Sequence, residues 1–428
     1  MNATLQCLSN IDTLTNYFLI YQNVFCQNII KYDLTSEYAK LVKNLWDENK
    51  VKKYYEPYDF KNKIGQKNPL FSGIAANDSK DLILFIFQEM HKELNNFDMN
   101  NINFNGNNNP MKDQRNEKGE YKIFIKDYYS VNNSIIQKLF YGEQESISVC
   151  HNCNVKMYNF NVFSFLIFPL EKVRQYMINI QTEGLEKVTL KDCFEQYTSE
   201  EILSGENQMY CNYCHQNADY STYNKIYKHP EILVIILNRG NGLEFNVEFE
   251  YPQKIKINDY INLDNNDNYN NNEDIQYELI GIISHLGDSS MSGHFIAICK
   301  NPVDKKWYKF NDAIVSESSY ELVSDDNLNN IPYVLFYKII SSNIPKGNQI
   351  VLYFDFSNGK QLYLNLDENT IFNEAINLLI EEYELPQENY KCFKGFIEID
   401  ESKFIKDNLL NNGDHLNIEI EEDDFNIV

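Results

Sequence analysis

No run of about 18 apolar residues occurs in the 428-residue chain, so no segment reads as a membrane-spanning helix. The N-terminus has neither the basic flank nor the long apolar stretch of a signal peptide. Positive charge is scarce: 38 Lys and Arg stand against 62 Asp and Glu, a net charge of −24. A chain this acidic repels phosphates, which excludes nucleic acid as a partner and favours a basic protein or peptide segment. No internal repeat of about 20–50 residues is visible, which sets solenoids aside. Nine cysteines are an odd number, and four of them form two C-x-x-C pairs. In a chain of this length that pattern points to metal binding in a reducing compartment, cytoplasm or nucleus, and away from a disulfide framework.

What is present suits a large domain followed by a smaller one. A hydrophobic fraction of 43% supplies a core, and aromatics at 14%, mostly Tyr and Phe, suit a sheet-rich fold. Residues 1–24, with Leu5, Leu8, Ile11, Leu14 and Phe18, have helical spacing and predict one helix before a short break. KDLILFIFQEMHKELNN, residues 80–96, predicts an amphipathic helix. The Asn- and Gly-rich residues 97–120 predict a long surface loop, and β-rich runs begin at about 121. Residues 262–274 predict a second loop, between two strands. After a linker SSNIPKGN come a strand IVLYFDF, a turn SNGK, a strand QLYLNL, a helix near 371–383 and short strands ending in HLNIEIE. That is the β-grasp order, and its spacing resembles a ubiquitin-like domain over 347–428; an unrelated α+β module is the alternative. The final EEDDFNIV holds no diglycine, so this module is expected to act within the chain and not as a conjugated modifier, with a solvated acidic tail.

Cys150 and Cys153 form one C-x-x-C, Cys211 and Cys214 the other. Two thiolates at this spacing suit a hairpin tip, and two tips make a tetrahedral four-sulfur site, expected to hold one zinc ion. His151 and His215 adjoin the cysteines, but four thiolates close the site, so the zinc is expected to be structural. In the segment 278–315, His294 lies near Asn311 and Asp312 if its two strands pair as a hairpin. A catalytic imidazole needs such a partner to hold one ring nitrogen while the other handles a proton. Taken alone this pairing is weak evidence, since a lone His near a turn is more often structural. The preceding GDSSMSG is expected to form a mobile flap, and His285 to be a structural strand-end residue.

YELIGIISHLGDSSMSGHFIAICK with WYKFNDAIV resembles the histidine box of the ubiquitin-specific protease family. MNATLQCLSN resembles the end of that family's cysteine box, and KDLILFIFQEMHKELN the segment that follows it. SIIQKLFYGEQESISVCHNC and VTLKDCFEQYTSEEILSGENQMYCNYC resemble its zinc-bearing fingers, and HPEILVIILNRGNGLEFN the strand after them. The resemblance runs in order from Met1 to about residue 340. It implies an α+β architecture: a papain-like cysteine protease of thumb, palm and fingers over 1–340, with fingers at about 145–235, ahead of the β-grasp ubiquitin-like domain. It implies thiol-dependent hydrolysis after the C-terminal glycine of ubiquitin, with ubiquitin and ubiquitinated proteins as partners. His294 maps to the general base, Asn311 to the residue orienting it, and Asp312 is a secondary candidate. Asp81 maps to an acidic position contacting the basic ubiquitin tail. The chain departs from the pattern at Leu84, where Glu is usual, and at Phe295, where Tyr is common.

The same resemblance places the nucleophilic cysteine two positions before Met1. Cys7 sits too far into its helix to reach the unpaired N–H groups of a first turn, and reads as core packing. Cys26, Cys193, Cys299 and Cys392 read as buried or incidental thiols. Two functions therefore compete: an active deubiquitinase, and a ubiquitin-binding pseudoenzyme. Retention of His294 and Asn311 favours the first.

Overall fold

The computed structural model describes the chain except residues 48–53, 74–77, 96–116, 130, 181–186, 241–246, 263–273, 290–291, 321–329, 341–348, 357–360, 368–369, 384, 387–389, 395–396, 404, 409, 411–413 and 421–428. The two Asn-rich loops, the linker, the flap tip and the acidic tail thus fall wholly or mostly outside the described residues. Contacts divide the chain into two units, Met1–Thr15 with Val24–Ile340, and Asn16–Asn23 with Ser341–Val428.

The first helical stretch is two helices and not one, α1 over Asn2–Ser9 and α2 over Asp12–Gln27. Asn10 leaves helical geometry at ψ 4°, and Ile11 is extended at ψ 106°. The break is held from both sides: Thr15 Oγ1 donates to Ser9 O at 2.8 Å, and Asp12 pairs with Lys338 at 2.6 Å. An acidic residue in the first turn of α2 also suits the positive end of the helix dipole.

Helices α3 (Asp33–Trp46), α4 (Tyr58–Lys67) and α5 (Ser79–Leu94) follow. Helix α5 lies where its periodicity predicts, with Leu82, Ile83, Ile86, Phe87, Met90 and Leu94 buried. Asp78 caps it, accepting from the Lys80 N–H at 2.8 Å. Glu93 of α5 accepts the Leu34 and Thr35 N–H groups at 3.0 and 2.8 Å, satisfying the orphan donors of α3.

Residues 117–129, expected to be loop and then strand, form α6 (Glu117–Tyr129), and α7 (Ile135–Phe140) follows. Strands begin only at Gly142. The helix is held by aromatic packing: the Tyr121 ring lies 5.2 Å from Phe160 and 4.1 Å from Tyr227, centre to centre.

A four-stranded antiparallel sheet runs in the order Lys156–Phe163, Gly142–Cys150, Tyr220–Lys228, Glu201–Leu203. A small hairpin, Met209–Cys211 with Gln216–Ala218, stands beside it in sequence. The larger sheet orders Ile314–Ser318, Trp307–Asn311, Ser292–Lys300, Gln276–Ser289, Asn330–Ile340, Ile232–Asn238 and Leu166–Pro169, with Lys254–Lys256 paired to Gln276–Ser289. Ile232–Leu237 is buried at every position, as expected of a strand covered on both faces.

In the C-terminal unit, five strands run in the order Gln361–Asp367, Gln349–Phe356, Asp414–Ile420, Tyr390–Lys394, Ile397–Glu398. The first strand in sequence pairs in parallel with the last. The helix α8 (Phe372–Glu382) places Phe372, Ala375, Leu379 and Ile380 in one core with Leu352, Phe354, Leu416 and Ile418.

Candidate active site

His294 lies on Ser292–Lys300, and Asn311 ends the adjoining strand Trp307–Asn311. The two strands are antiparallel neighbours, with Ala297 opposite Phe310 and Lys300 opposite Trp307. This register brings His294 Nε2 to 2.8 Å from Asn311 Oδ1. A carbonyl oxygen only accepts, so Nε2 carries the hydrogen and Nδ1 is left with its lone pair. Asn311 pairs with Ile314 across a two-residue turn, and Asp312 takes a left-handed φ of 51° there, a conformation Asp tolerates better than most residues. The turn leaves an Asp312 carboxylate oxygen 3.6 Å from His294 Nε2. Helix α1 fastens the turn: Asn2 Nδ2 donates to Asp312 Oδ1 at 2.6 Å, and Gln6 Nε2 to the Asp312 carbonyl at 2.9 Å.

These groups face a pocket of about 400 Å³ lined by Met1, Asn2 and Ala3 of the chain start, Lys61, Phe71, Leu82, Gly293, His294, Phe295 and Asp312. The back of the histidine strand is tightly packed. A Cβ on Gly293 would lie 2.2 Å from the His285 ring, so only glycine fits between the strands there. His285 is buried with its ring edge-on to Phe295 at 5.0 Å, and burial lowers its pKa below the usual histidine range. Expected as a structural strand-end residue, it lies within the strand Gln276–Ser289, opposite Phe295, and packs there. Phe295 also meets Tyr333 at 5.4 Å, and the Tyr333 hydroxyl donates to Asp78 Oδ2 at 2.8 Å. The cap of α5 is thereby tied to the histidine strand. The ladder runs to Ser289 opposite Ser292, so the stretch expected to be a flap is hairpin up to its two undescribed tip residues.

Among the described residues no cysteine lines the pocket. Cys7 is buried, its thiol 3.6 Å from the Ile282 carbonyl and 3.4 Å from the Cys299 sulfur. Burial, then the Cys299 thiol, pushes its pKa well above the usual thiol range, the opposite of what a nucleophile needs. Cys193, Cys299 and Cys392 are buried and Cys26 is half-buried. Asp81 is half-buried on α5 with Lys80 3.9 Å away, outside the pocket wall, to which α5 contributes Leu82.

The sulfurs of Cys150, Cys153, Cys211 and Cys214 all lie within 4.8 Å of one another. Asn154 and His215, each one residue past its C-x-x-C, take left-handed φ of 56° and return their N–H groups to Cys150 O and Cys211 O, both at 2.8 Å. These two tight turns aim four sulfurs at one point, and the cluster can hold a metal ion. His151 is turned away to Ser221 Oγ at 2.7 Å.

Sequence reasoning missed Lys61 in the pocket, the two α1 anchors on Asp312, and the His285–Gly293 contact. The anchors join residues 310 and 306 positions apart, for which no local signal exists.

Residues 1–337 match the family model described as ubiquitin carboxyl-terminal hydrolase. The chain belongs to this family. It is 28% identical over 353 residues to ubiquitin carboxyl-terminal hydrolase 2 of Bos taurus, covering 80% of this chain and 53% of the relative. To ubiquitin carboxyl-terminal hydrolase Usp2 of Drosophila melanogaster it is 26% identical over 346 residues, covering 79% of this chain and 33% of the relative. The chain thus spans between a third and about half of these family members' length. Among solved structures it resembles the SAGA Ubp8/Sgf11/Sus1/Sgf73 DUB module bound to ubiquitin aldehyde, with a TM-score of 0.58 and 22% identity, over 80% of this chain and 67% of that one. The likeness is one of fold, mixed helix and strand. Among the described residues no helix is long and apolar enough to cross a membrane.

Proposed function

We propose that residues 1–340 are the catalytic domain of a deubiquitinase that hydrolyses the peptide or isopeptide bond after the C-terminal glycine of ubiquitin. The observation that carries this reading is the 2.8 Å contact of His294 Nε2 with Asn311 Oδ1 at the pocket. Asn311 fixes the tautomer, Asp312 adds a negative charge beside the ring, and Nδ1 is left as the base. His294 takes the proton of the attacking thiol. The thiolate adds to the carbonyl carbon, the imidazolium protonates the leaving lysine amine, and the C–N bond breaks. Water, deprotonated by the same His294, then attacks the thioester, leaving a carboxylate on ubiquitin and returning the thiol.

The thiol is supplied from two positions before Met1, as the family resemblance implies. Met1, Asn2 and Ala3 line the pocket, so the two residues that would precede Met1 are well placed to enter it beside His294. Asp81 is proposed to meet the basic ubiquitin tail. The four-cysteine cluster fits zinc, because four thiolates in tetrahedral reach complete its preferred shell. Such a closed site stabilises the fingers and takes no part in the reaction. Residues 347–428 are read as a β-grasp, ubiquitin-like module, supported by the parallel first and last strands and the single packed helix. Ubiquitinated proteins of the cytoplasm or nucleus are the proposed substrates.

The alternative reading is a ubiquitin-binding scaffold without activity. One experiment separates the two. A ubiquitin probe with a thiol-trapping C-terminus should leave chain 1–428 unlabelled. It should label a chain extended upstream through Asn-Thr-Cys-Tyr, and His294→Ala should abolish that labelling. Labelling of 1–428 that is lost in Cys7→Ala would show that the nucleophile is misplaced. An inert extended chain would leave the scaffold reading standing.

A further inference from the structure

Lys61 of α4 is half-buried in the pocket wall with Met1, Asn2, Gly293, His294 and Asp312. Among the described residues no carboxylate forms an ion pair with it. The nearby candidate, Asp312, is turned elsewhere: it accepts from Asn2 Nδ2 at 2.6 Å and stands 3.6 Å from His294. The other wall residues are apolar or small, namely Ala3, Phe71, Leu82 and Phe295. Two of the three lysines of α4 are engaged, Lys63 with Asp33 at 2.8 Å and Lys67 with Glu89 at 3.0 Å. Lys61, the third, faces the pocket. Its charge is felt at the pocket wall opposite: burial and then Lys61 lower the pKa of the Met1 amine, against Asp312. An unpaired cation beside an apolar wall in a partly desolvated pocket is an anion site.

We infer that Lys61 binds the C-terminal carboxylate that hydrolysis leaves on ubiquitin. This rests on the deubiquitinase reading, because the anion is the product of that reaction at that pocket. The lysine pairs with one carboxylate oxygen and His294 lies beside the other. The hydrolysed tail is therefore retained by a charge contact that an uncleaved, neutral amide does not make.

The test needs no nucleophile and uses chain 1–428 as it is. Calorimetric titration compares ubiquitin bearing its free C-terminal carboxylate with ubiquitin ending in a carboxamide. It is run at about pH 8.5, above the ordinary 8.0 of a terminal amine, so that the depressed Met1 amine is neutral and does not substitute for the lysine. The carboxylate form should bind about five- to tenfold more tightly. Lys61→Arg should keep the preference. Lys61→Met should bring the two forms to equal affinity while leaving carboxamide binding and the far-UV circular dichroism unchanged. Equal binding of both forms by the wild type, or a preference that survives in Lys61→Met, overturns the assignment of Lys61 and leaves the deubiquitinase reading intact. Failure of both forms to bind overturns that reading, and this inference with it.

Discussion

Glu145 carries an electrostatic load that can be removed by one substitution. Its side chain is fully buried on Gly142–Cys150. The amide of Asn262 donates to Glu145 Oε2 at 2.6 Å and to Glu117 Oε1, on α6, at 2.9 Å, so two buried carboxyls share one amide. Burial pushes the Glu145 carboxyl up to about 7; the Asn262 bond opposes this, the Glu117 charge adds to it, and Lys225 opposes it. Tyr158 and Tyr223 face the same cluster, and burial and then its charges raise their pKa values. The rise from 4.5 to about 7, at about 1.4 kcal/mol per pH unit, is worth about 3 kcal/mol as an upper bound. The sign follows from linkage. The native state keeps a proton that the unfolded chain releases near pH 4.5, so the contribution is fully present below 4.5 and is lost as pH rises through about 7. Glu145→Gln removes the titration and keeps an acceptor for Asn262. The variant should be more stable than the wild type by about 2–3 kcal/mol at pH 8 and gain nothing at pH 4.5. Unfolding of a two-unit chain is not two-state, so the assay is hydrogen exchange of the α6 and Gly142–Cys150 amides from about pH 5 to 8, corrected for intrinsic rates. If wild-type protection does not fall across that interval, or the variant shows the same slope, the buried-carboxyl account is wrong.

Three further outcomes are expected. Purified protein should contain about one zinc per chain, and chelation or Cys150→Ser should unfold the fingers, since such sites contribute on the order of 10 kcal/mol; no metal together with unchanged finger protection after chelation would reject the site. Gly293→Ala must displace His285 or part the two strands, so labelling of the upstream-extended chain by the thiol-trapping probe should fall at least about tenfold, a cost of about 1.4 kcal/mol; wild-type labelling would refute the close-packing argument. Tyr333→Phe removes one hydrogen bond to Asp78 and should cost about 1 kcal/mol, read as faster exchange in the first turn of α5; an unchanged first turn would show that the Lys80 cap suffices alone.

The parts of this molecule that were legible in the sequence are those whose cause is local. Helix α5 has an apolar stripe and its own capping aspartate. His294 and Asn311 are 17 residues apart on neighbouring strands, and the C-x-x-C spacing already draws two sulfurs together. The break at Asn10 and Ile11 carries no Gly or Pro, and is enforced by Thr15 and Lys338. Helix α6 emerges from an Asn-rich stretch, and its aromatic residues suit strand as well as helix. Their packing on Phe160 and Tyr227 decides the matter, and that is tertiary information. Nothing in the local sequence distinguishes Lys61 from a surface lysine, and only the tertiary pocket gives it a place.

Asn2 and Gln6 hold Asp312 from 310 and 306 positions away. A ribosome delivers the N-terminal helix first, and the hairpin that bears His294 and Asp312 only after most of the first unit has been made. Until then the two halves of the proposed reaction centre exist on one growing polypeptide without meeting. On the proposed function, a protease assembled in this way stays silent until that hairpin has been made, and nascent chains abandoned before it carry no activity that a cell would have to restrain.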